Sequence, residues 1–311
     1  NRKMQGNNLS VKAYQDFPGI QNFSGALDVQ DYKGLIRVNS KNFVVSKYDT
    51  FREDLKFNEL KGLLSWNKNA FMIKNISASN TDFEAVLNGR YNSSDSDDDS
   101  IDVTIDIPRA DISDLKEYYP KQMGKEALNW LDTSLLKGVA NNTKVVMRGK
   151  LKDFPFIDDK NNPDENEGIF RITSKITGSE IEYGTNWPNA ENFNIDFKLN
   201  ASRIEFTSET GEIADNKIIS FKGVIPNFTD DVTMLNIDAE LDSPLNTMIK
   251  FINSSPVKDE MQGRSEGLLG AGSGKLRLSL KIPLSDVDNL TYDGIYSFQN
   301  SSLESPELDL P

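Results

Sequence analysis

Apolar and polar residues alternate strictly along four stretches of this chain: Ile101-Asp-Val-Thr-Ile-Asp-Ile107, Phe193-Asn-Ile-Asp-Phe-Lys-Leu199, Leu235-Asn-Ile-Asp-Ala-Glu-Leu241 and Leu276-Arg-Leu-Ser-Leu-Lys-Ile282. Successive side chains of an extended chain point to opposite faces, so each stretch reads as a strand with one oily and one wet face. The wet positions are almost all charged or amide, which fits an antiparallel sheet solvated on one side rather than a parallel sheet buried on both. Three octets repeat the alternation on one template: Gly34-Leu-Ile-Arg-Val-Asn-Ser-Lys41, Gly168-Ile-Phe-Arg-Ile-Thr-Ser-Lys175 and Gly274-Lys-Leu-Arg-Leu-Ser-Leu-Lys281. The spacing from Gly34 to Gly89 equals that from Gly168 to Gly223, and a Phe-Asn pair falls inside each interval, at Phe57-Asn58 and Phe193-Asn194. Internal duplication of a β-unit is the economical explanation. Gly25, Gly34, Gly62, Gly89, Gly149, Gly178, Gly211 and Gly223 are expected to punctuate the strands as turns.

Helical spacing is rare. Met123, Ala127, Leu128, Leu131 and Leu135 form an apolar stripe that predicts a helix over 121–137, stopped by Gly138. A shorter helix is expected after Ser243-Pro244, a capping Ser followed by Pro at the first helical position, carrying Leu245, Met248, Ile249 and Ile252. A turn or two of helix is expected after Asp111 or Ser113. Two or three short helices cover only part of a sheet this large. The remaining oily face needs a second sheet layer, a sheet curled on itself, or a bound apolar ligand.

Charge and missing residue types narrow the chemistry. The chain has 48 acidic and 35 basic residues, a formal net charge of −13, which disfavours nucleic acid and anionic membrane surfaces as partners. It has neither cysteine nor histidine. Disulfides, thiolate chemistry, Ser-His-Asp machinery and HExxH zinc sites are therefore excluded. No apolar run is long enough to cross a membrane as a helix, and the start, Asn-Arg-Lys-Met-Gln, is not a signal peptide. The sequence is read as a portion of a longer protein.

Several motifs reduce to simpler readings. Asn92 to Ser100 and Ile157 to Glu167 are acidic and poor in apolar residues, as solvated hairpin loops are; counted from Asp164, the second fails the calcium-loop register because Gly168 falls one place early. Gly267-Leu-Leu-Gly-Ala-Gly-Ser-Gly-Lys275 lacks the spacing of a phosphate loop and leads into a strand, so it is expected to be a flexible connector. The Asn-x-Ser/Thr triplets at Asn22, Asn141 and Asn227 are read as a by-product of an Asn- and Ser-rich composition. The carboxylates lie on wet strand faces or in loops, so no pair stands out for glycoside hydrolysis.

A set of residues in the middle and last thirds carries a family likeness. Trp130-Leu-Asp132, Gly138, Arg148-Gly-Lys-Leu-Lys-Asp-Phe-Pro-Phe156, Gly168-Ile-Phe170, Tyr183 and Trp187-Pro188 occur in an order and spacing that resembles the YhdP branch of the AsmA-like family. Ser255-Pro-Val257, Gly274-Lys-Leu276 and Ile282-Pro-Leu284 continue it, and the likeness spans roughly Asp106 to Phe298. The resemblance implies a Gram-negative envelope protein fixed in the inner membrane by a helix outside this sequence and projecting into the periplasm. There it would carry phospholipid toward the outer membrane along a β-groove. The fold expected is mainly β, a long curved antiparallel sheet forming an open groove over 1–311, with possible sub-units 1–105, 106–140 and 141–311.

No enzyme activity and no cofactor are expected; the partners expected are phospholipid acyl chains and the inner membrane, with no nucleic acid. Acyl chains would lie on Ile36, Val38, Phe170, Ile172, Phe193, Ile195, Phe197, Leu199, Leu235, Ile237, Leu276 and Leu278. Pattern alone leaves open whether these residues line a groove or a closed core. Trp130, Phe154, Phe156 and Trp187 read as packing anchors where helix or loop meets sheet. The alternative function is an envelope scaffold or a glycan- or protein-binding β domain.

Overall fold

The computed structural model describes residues 2–14, 18–47, 49–94, 98–119, 121, 125–156 and 168–305. The strands are β1 (Arg2–Val11), β2 (Gly19–Gln30), β3 (Lys33–Ser46), β4 (Leu55–Trp66), β5 (Ala70–Ser79), β6 (Glu84–Asn92), β7 (Ser100–Asp111) and β8 (Leu135–Lys150). They continue as β9 (Ile169–Ile181), β10 (Ala190–Asn200), β11 (Arg203–Ser208), β12 (Glu212–Ile213), β13 (Asn216–Ile225), β14 (Met234–Asp242), β15 (Leu269–Pro283) and β16 (Thr291–Glu304). The α-helices are α1 (Lys125–Ser134), α2 (Leu245–Asn253) and α3 (Val257–Glu260). The strands form one 16-stranded sheet in chain order, except that the short β12 pairs with β10 and β13 beside the main path. The mainly β, antiparallel character expected from alternation is therefore what the structure shows, and the four alternating stretches fall inside β7, β10, β14 and β15.

Two compact units divide the contacts: residues 1–124, 140–174 and 198–202 form the first, and 125–139, 175–197 and 203–311 the second. In the second unit Phe193, Leu235, Leu241 and Ile282 are fully buried and mark the core. In the first, the strands β1 to β7 pair antiparallel, each with its sequence neighbour.

Several sequence expectations are corrected. Gly25, Gly34, Gly62, Gly89, Gly149, Gly178 and Gly223 lie within strands rather than in turns; of the eight, Gly211 alone stands between strands. At several of them the reason is close contact with a neighbouring segment. A Cβ on Gly34 would overlap the Trp66 ring, one on Gly168 the Phe156 ring, and one on Gly274 the Tyr296 phenol. Each octet thus opens on glycine because an aromatic ring lies over that position. The octet strands are β3, β9 and β15; the Phe-Asn pairs fall one strand later, in β4 and β10; and Gly89 and Gly223 fall in β6 and β13, the fourth strand of each set.

The expected helix over 121–137 is shorter: α1 ends at Ser134, Leu135 already starts β8, and Gly138 is a strand residue. Met123 lies outside the described residues. Pro244, not Ser243, is the N-cap of α2, because Ser243 Oγ turns away to donate to Asn216 Oδ1 at 2.5 Å. The turn after Asp111 is a 3₁₀ helix over Ile112–Tyr118 whose second amide, Ser113 N, is capped by Asp111 at 3.1 Å. The glycine-rich stretch before the third octet is extended from Leu269 onward as part of β15 rather than a connector. The loop 157–167 lies outside the described residues.

Asparagines with positive φ recur inside strands: Asn8, Asn22, Asn42, Asn75, Asn142, Asn192 and Asn300. Short polar side chains tolerate this left-handed conformation, which is where a strand accepts an extra residue as a bulge. Pairing registers shift beside Asn8, Asn22 and Asn75. Small polar side chains replace the ladder bonds lost there. Ser24 N donates to Ser40 Oγ at 2.8 Å, Ser40 Oγ donates back to Ser24 O at 3.1 Å, and Asn75 N donates to Asn88 Oδ1 at 2.8 Å.

Candidate functional site: an open apolar face

Residues directly opposite across an antiparallel pair share a face. In the first unit, Leu27 lies opposite Ile36, Ile36 opposite Leu64, Leu64 opposite Ile73, Ile73 opposite Gly89, and Gly89 opposite Val103. This apolar row crosses six strands, β2 to β7, and strands about 4.8 Å apart make it about 24 Å long. Every side chain in it is half-buried although it has strand neighbours on both sides. The residual exposure therefore lies on top of the row, where a further apolar layer would complete the burial.

The next row holds Gly25, Val38, Gly62, Ile76, Leu87 and Ile105. Its glycines leave room: a Cβ on Gly62 would overlap Ile76. Val38 and Ile76 fill this narrower row and are 4% and 7% exposed.

Aromatic rings flank the aliphatic rows on both sides. Along one margin Trp66 lies opposite Phe71, and Phe71 opposite Tyr91. Along the other, ring contacts run Phe23 to Phe43, Phe57, Phe83 and Tyr118, with centroids 6.4, 6.5, 6.5 and 4.9 Å apart. Polar groups close each margin. Tyr91 OH donates to Asp99, whose carboxyl this bond and the Ser94 amide hold below its ordinary value. Tyr118 OH donates to Asp82 at 2.9 Å, and burial above all pushes this phenol well up. Rings with an apolar body and a polar edge suit a boundary between hydrocarbon and water. The reverse face is charged, with Arg148 and Lys144 paired to Asp102 and Asp106 at 3.0 and 3.5 Å.

Of the residues expected to meet acyl chains, Ile36 stands in the open row, and Phe170 and Ile172 of β9 and Phe197 of β10 are also half-buried. Val38 and Leu199 are 4% and 7% exposed. Phe193, Ile195, Leu235, Ile237, Leu276 and Leu278 belong to the second unit and are 0 to 6% exposed. Leu27, Leu64, Ile73, Leu87 and Val103 complete the open face; of these, Val103 alone falls in one of the four alternating stretches. In β4 the doubled pair Asn58-Glu59 breaks the period, so Leu63-Leu64 does not read as an alternating strand.

In the second unit the same kind of face is covered. A Cβ on Gly270 of β15 would overlap Leu245 and Ile249, so α2 lies directly on that strand. Phe251 of α2 meets Trp187, whose ring also meets Tyr183 and Tyr292, with centroids 5.9, 6.0 and 5.5 Å apart. Trp187 is thus a packing anchor that ties helix to sheet. Phe156, 3% exposed, packs its ring over Gly149 and Gly168 in the first unit. Phe154, by contrast, stays 45% exposed against Phe170.

A model of the family described as YhdP protein matches residues 1–311. The intermembrane phospholipid transporter YhdP of Escherichia coli (strain K12) is 24% identical over 306 residues, which cover 97% of this chain and 23% of that protein. The chain therefore spans less than a quarter of that relative's length. No solved structure matches it.

Proposed function

The chain belongs to the YhdP family, and from that footing we propose that it is a non-enzymatic section of a phospholipid transporter that carries acyl chains between the inner and outer membranes on its apolar sheet face. Location in the periplasm and anchorage in the inner membrane belong to the same proposal. Among the described residues no helix is long and apolar enough to cross a membrane. The supporting observation is the half-exposed row from Leu27 to Val103, uncharged along its whole length.

That row is longer than one leaflet's share of a bilayer core, about 15 Å, so an extended acyl chain fits along it. Each methylene laid on it gains about 0.8 kcal/mol. A headgroup would stay in water beyond Trp66 and Tyr91 or beyond Phe57 and Phe83. No covalent step is involved. Transport would be a succession of equivalent positions along the sheet.

Native mass spectrometry of protein prepared from bacterial membranes without detergent tests this. Phospholipid adducts are expected, removed by delipidation and restored by vesicles. Their absence in both preparations would leave a protein- or glycan-binding scaffold as the reading.

A further inference from the structure

We propose that helix α2 is a built-in substitute for hydrocarbon: it occupies a second acyl-binding surface, the inner face of β14 and β15, and yields that surface when an acyl chain displaces it. The inference rests on the lipid reading above. It is carried by a contrast between the units, each taken by itself. In the first, the aliphatic row is half-exposed. In the second, Leu235, Leu241, Leu276 and Leu280 are 0 to 3% exposed, and the cover lying on β15 is the apolar side of α2, with Leu245 and Ile249 against Gly270.

The connection itself argues for cover rather than linkage. β14 and β15 are antiparallel neighbours, with Asp242 opposite Lys275. Two to five residues join such a pair in an ordinary hairpin. Here residues 243–268 intervene and fold back as α2 and α3. A nine-residue helix is not stable alone in water, so α2 is helical because it is docked.

Its polar attachments are few, and one of them, the ion pair of Lys250 with Asp215, lies on its exposed side. At the start, Asn216 Nδ2 donates to Thr247 O at 3.2 Å, and Tyr296 OH donates to Ser243 O at 2.9 Å. At the finish, the Phe251 ring meets Trp187. The buried contact at Gly270, made by Leu245 and Ile249, is aliphatic, so a lipid tail replaces it like for like. Gly263 and Gly267, both at positive φ, supply bends in the return segment.

The test uses the full chain with phosphatidylethanolamine vesicles containing a phospholipid that carries a diazirine on its acyl chain. After photolysis, labelled peptides are mapped by mass spectrometry. In wild type, labelling of β3 and β4 should dominate. Ile249→Asp, which undocks α2 without altering the sheet, should raise labelling of the β14 and β15 peptides. An open state populated at about 1–10% in wild type sets that increase at about tenfold or more.

A second measurement does not depend on the variant folding. Hydrogen exchange of wild type should show the α2 amides deprotected when vesicles are added. Labelling of β14 and β15 that matches β3 and β4 in wild type would overturn the plug. So would α2 exchange unmoved by lipid while β3 and β4 are labelled, or β14 and β15 unlabelled in folded Ile249→Asp. Labelling nowhere would instead overturn the lipid reading itself.

Discussion

Placing a charge in the open row separates a lipid surface from a core. Leu64 sits between Ile36 and Ile73 and is half-buried. Full burial of a leucine contributes about 1.5–3 kcal/mol, so Leu64→Asp forfeits about 1 kcal/mol of folding stability. A domain stable by about 5–15 kcal/mol survives that loss. For the ligand the balance differs. A tail burying about eight methylenes gains about 6 kcal/mol, and stripping water from a carboxylate beneath it costs several kcal/mol. Retention should fall at least about 100-fold, which corresponds to about 2.7 kcal/mol.

Leu276→Asp is the control, because Leu276 is 3% exposed. There the lost packing, about 2–5 kcal/mol, adds to a buried charge and should unfold the second unit. The assay is adduct intensity by native mass spectrometry beside thermal unfolding by circular dichroism. Folded Leu64→Asp with wild-type adducts would refute the open-row argument, as would Leu276→Asp melting like Leu64→Asp.

Gly34→Ala should cost about 1–3 kcal/mol by overpacking against Trp66; in denaturant unfolding, Trp66→Ala in the same chain should recover part of that loss, and simple additivity would count against the ring-over-glycine contact. Asn22→Val should destabilise by about 1–2 kcal/mol, because a β-branched residue resists the left-handed backbone at Asn22, whereas Asn22→Gly should stay close to wild type; equal melting of the two would remove the bulge argument. Bonds from Lys137 at 2.5 Å and Asn189 at 3.0 Å hold the Glu180 carboxyl below its ordinary value. Its folded pKa is thus below the unfolded one, so its contribution is complete above the unfolded value and is lost as pH falls through the folded one. Glu180→Gln should lower the melting temperature at neutral pH and converge with wild type in acid; a constant gap across that range would argue against the linkage.

The sheet was legible wherever alternation was uninterrupted: Ile101–Ile107, Phe193–Leu199, Leu235–Leu241 and Leu276–Ile282 all lie in strands. It was least legible at the bulges. An inserted residue such as Asn42 or Asn75 resets the face of everything after it, so the open row of the first unit does not follow a period of two along the chain. Glycine misled for a related reason. At Gly34 and Gly274 it answers a ring on the neighbouring strand, a contact that sequence does not display. The candidate surface was half readable. Periodicity identified oily faces in both units, but the difference between Ile36, left open, and Leu276, sealed, comes from packing between segments far apart in the chain, which a period of two does not display.

A meander in which each strand bonds to the one made just before it has a kinetic corollary. From β1 to β7 closing each pairing requires only a short loop, so each of these strands can zip onto its predecessor as soon as it is synthesised. Each strand so placed is the template for the one after it. Assembly of this kind is vectorial, and it needs no meeting of distant segments to be finished.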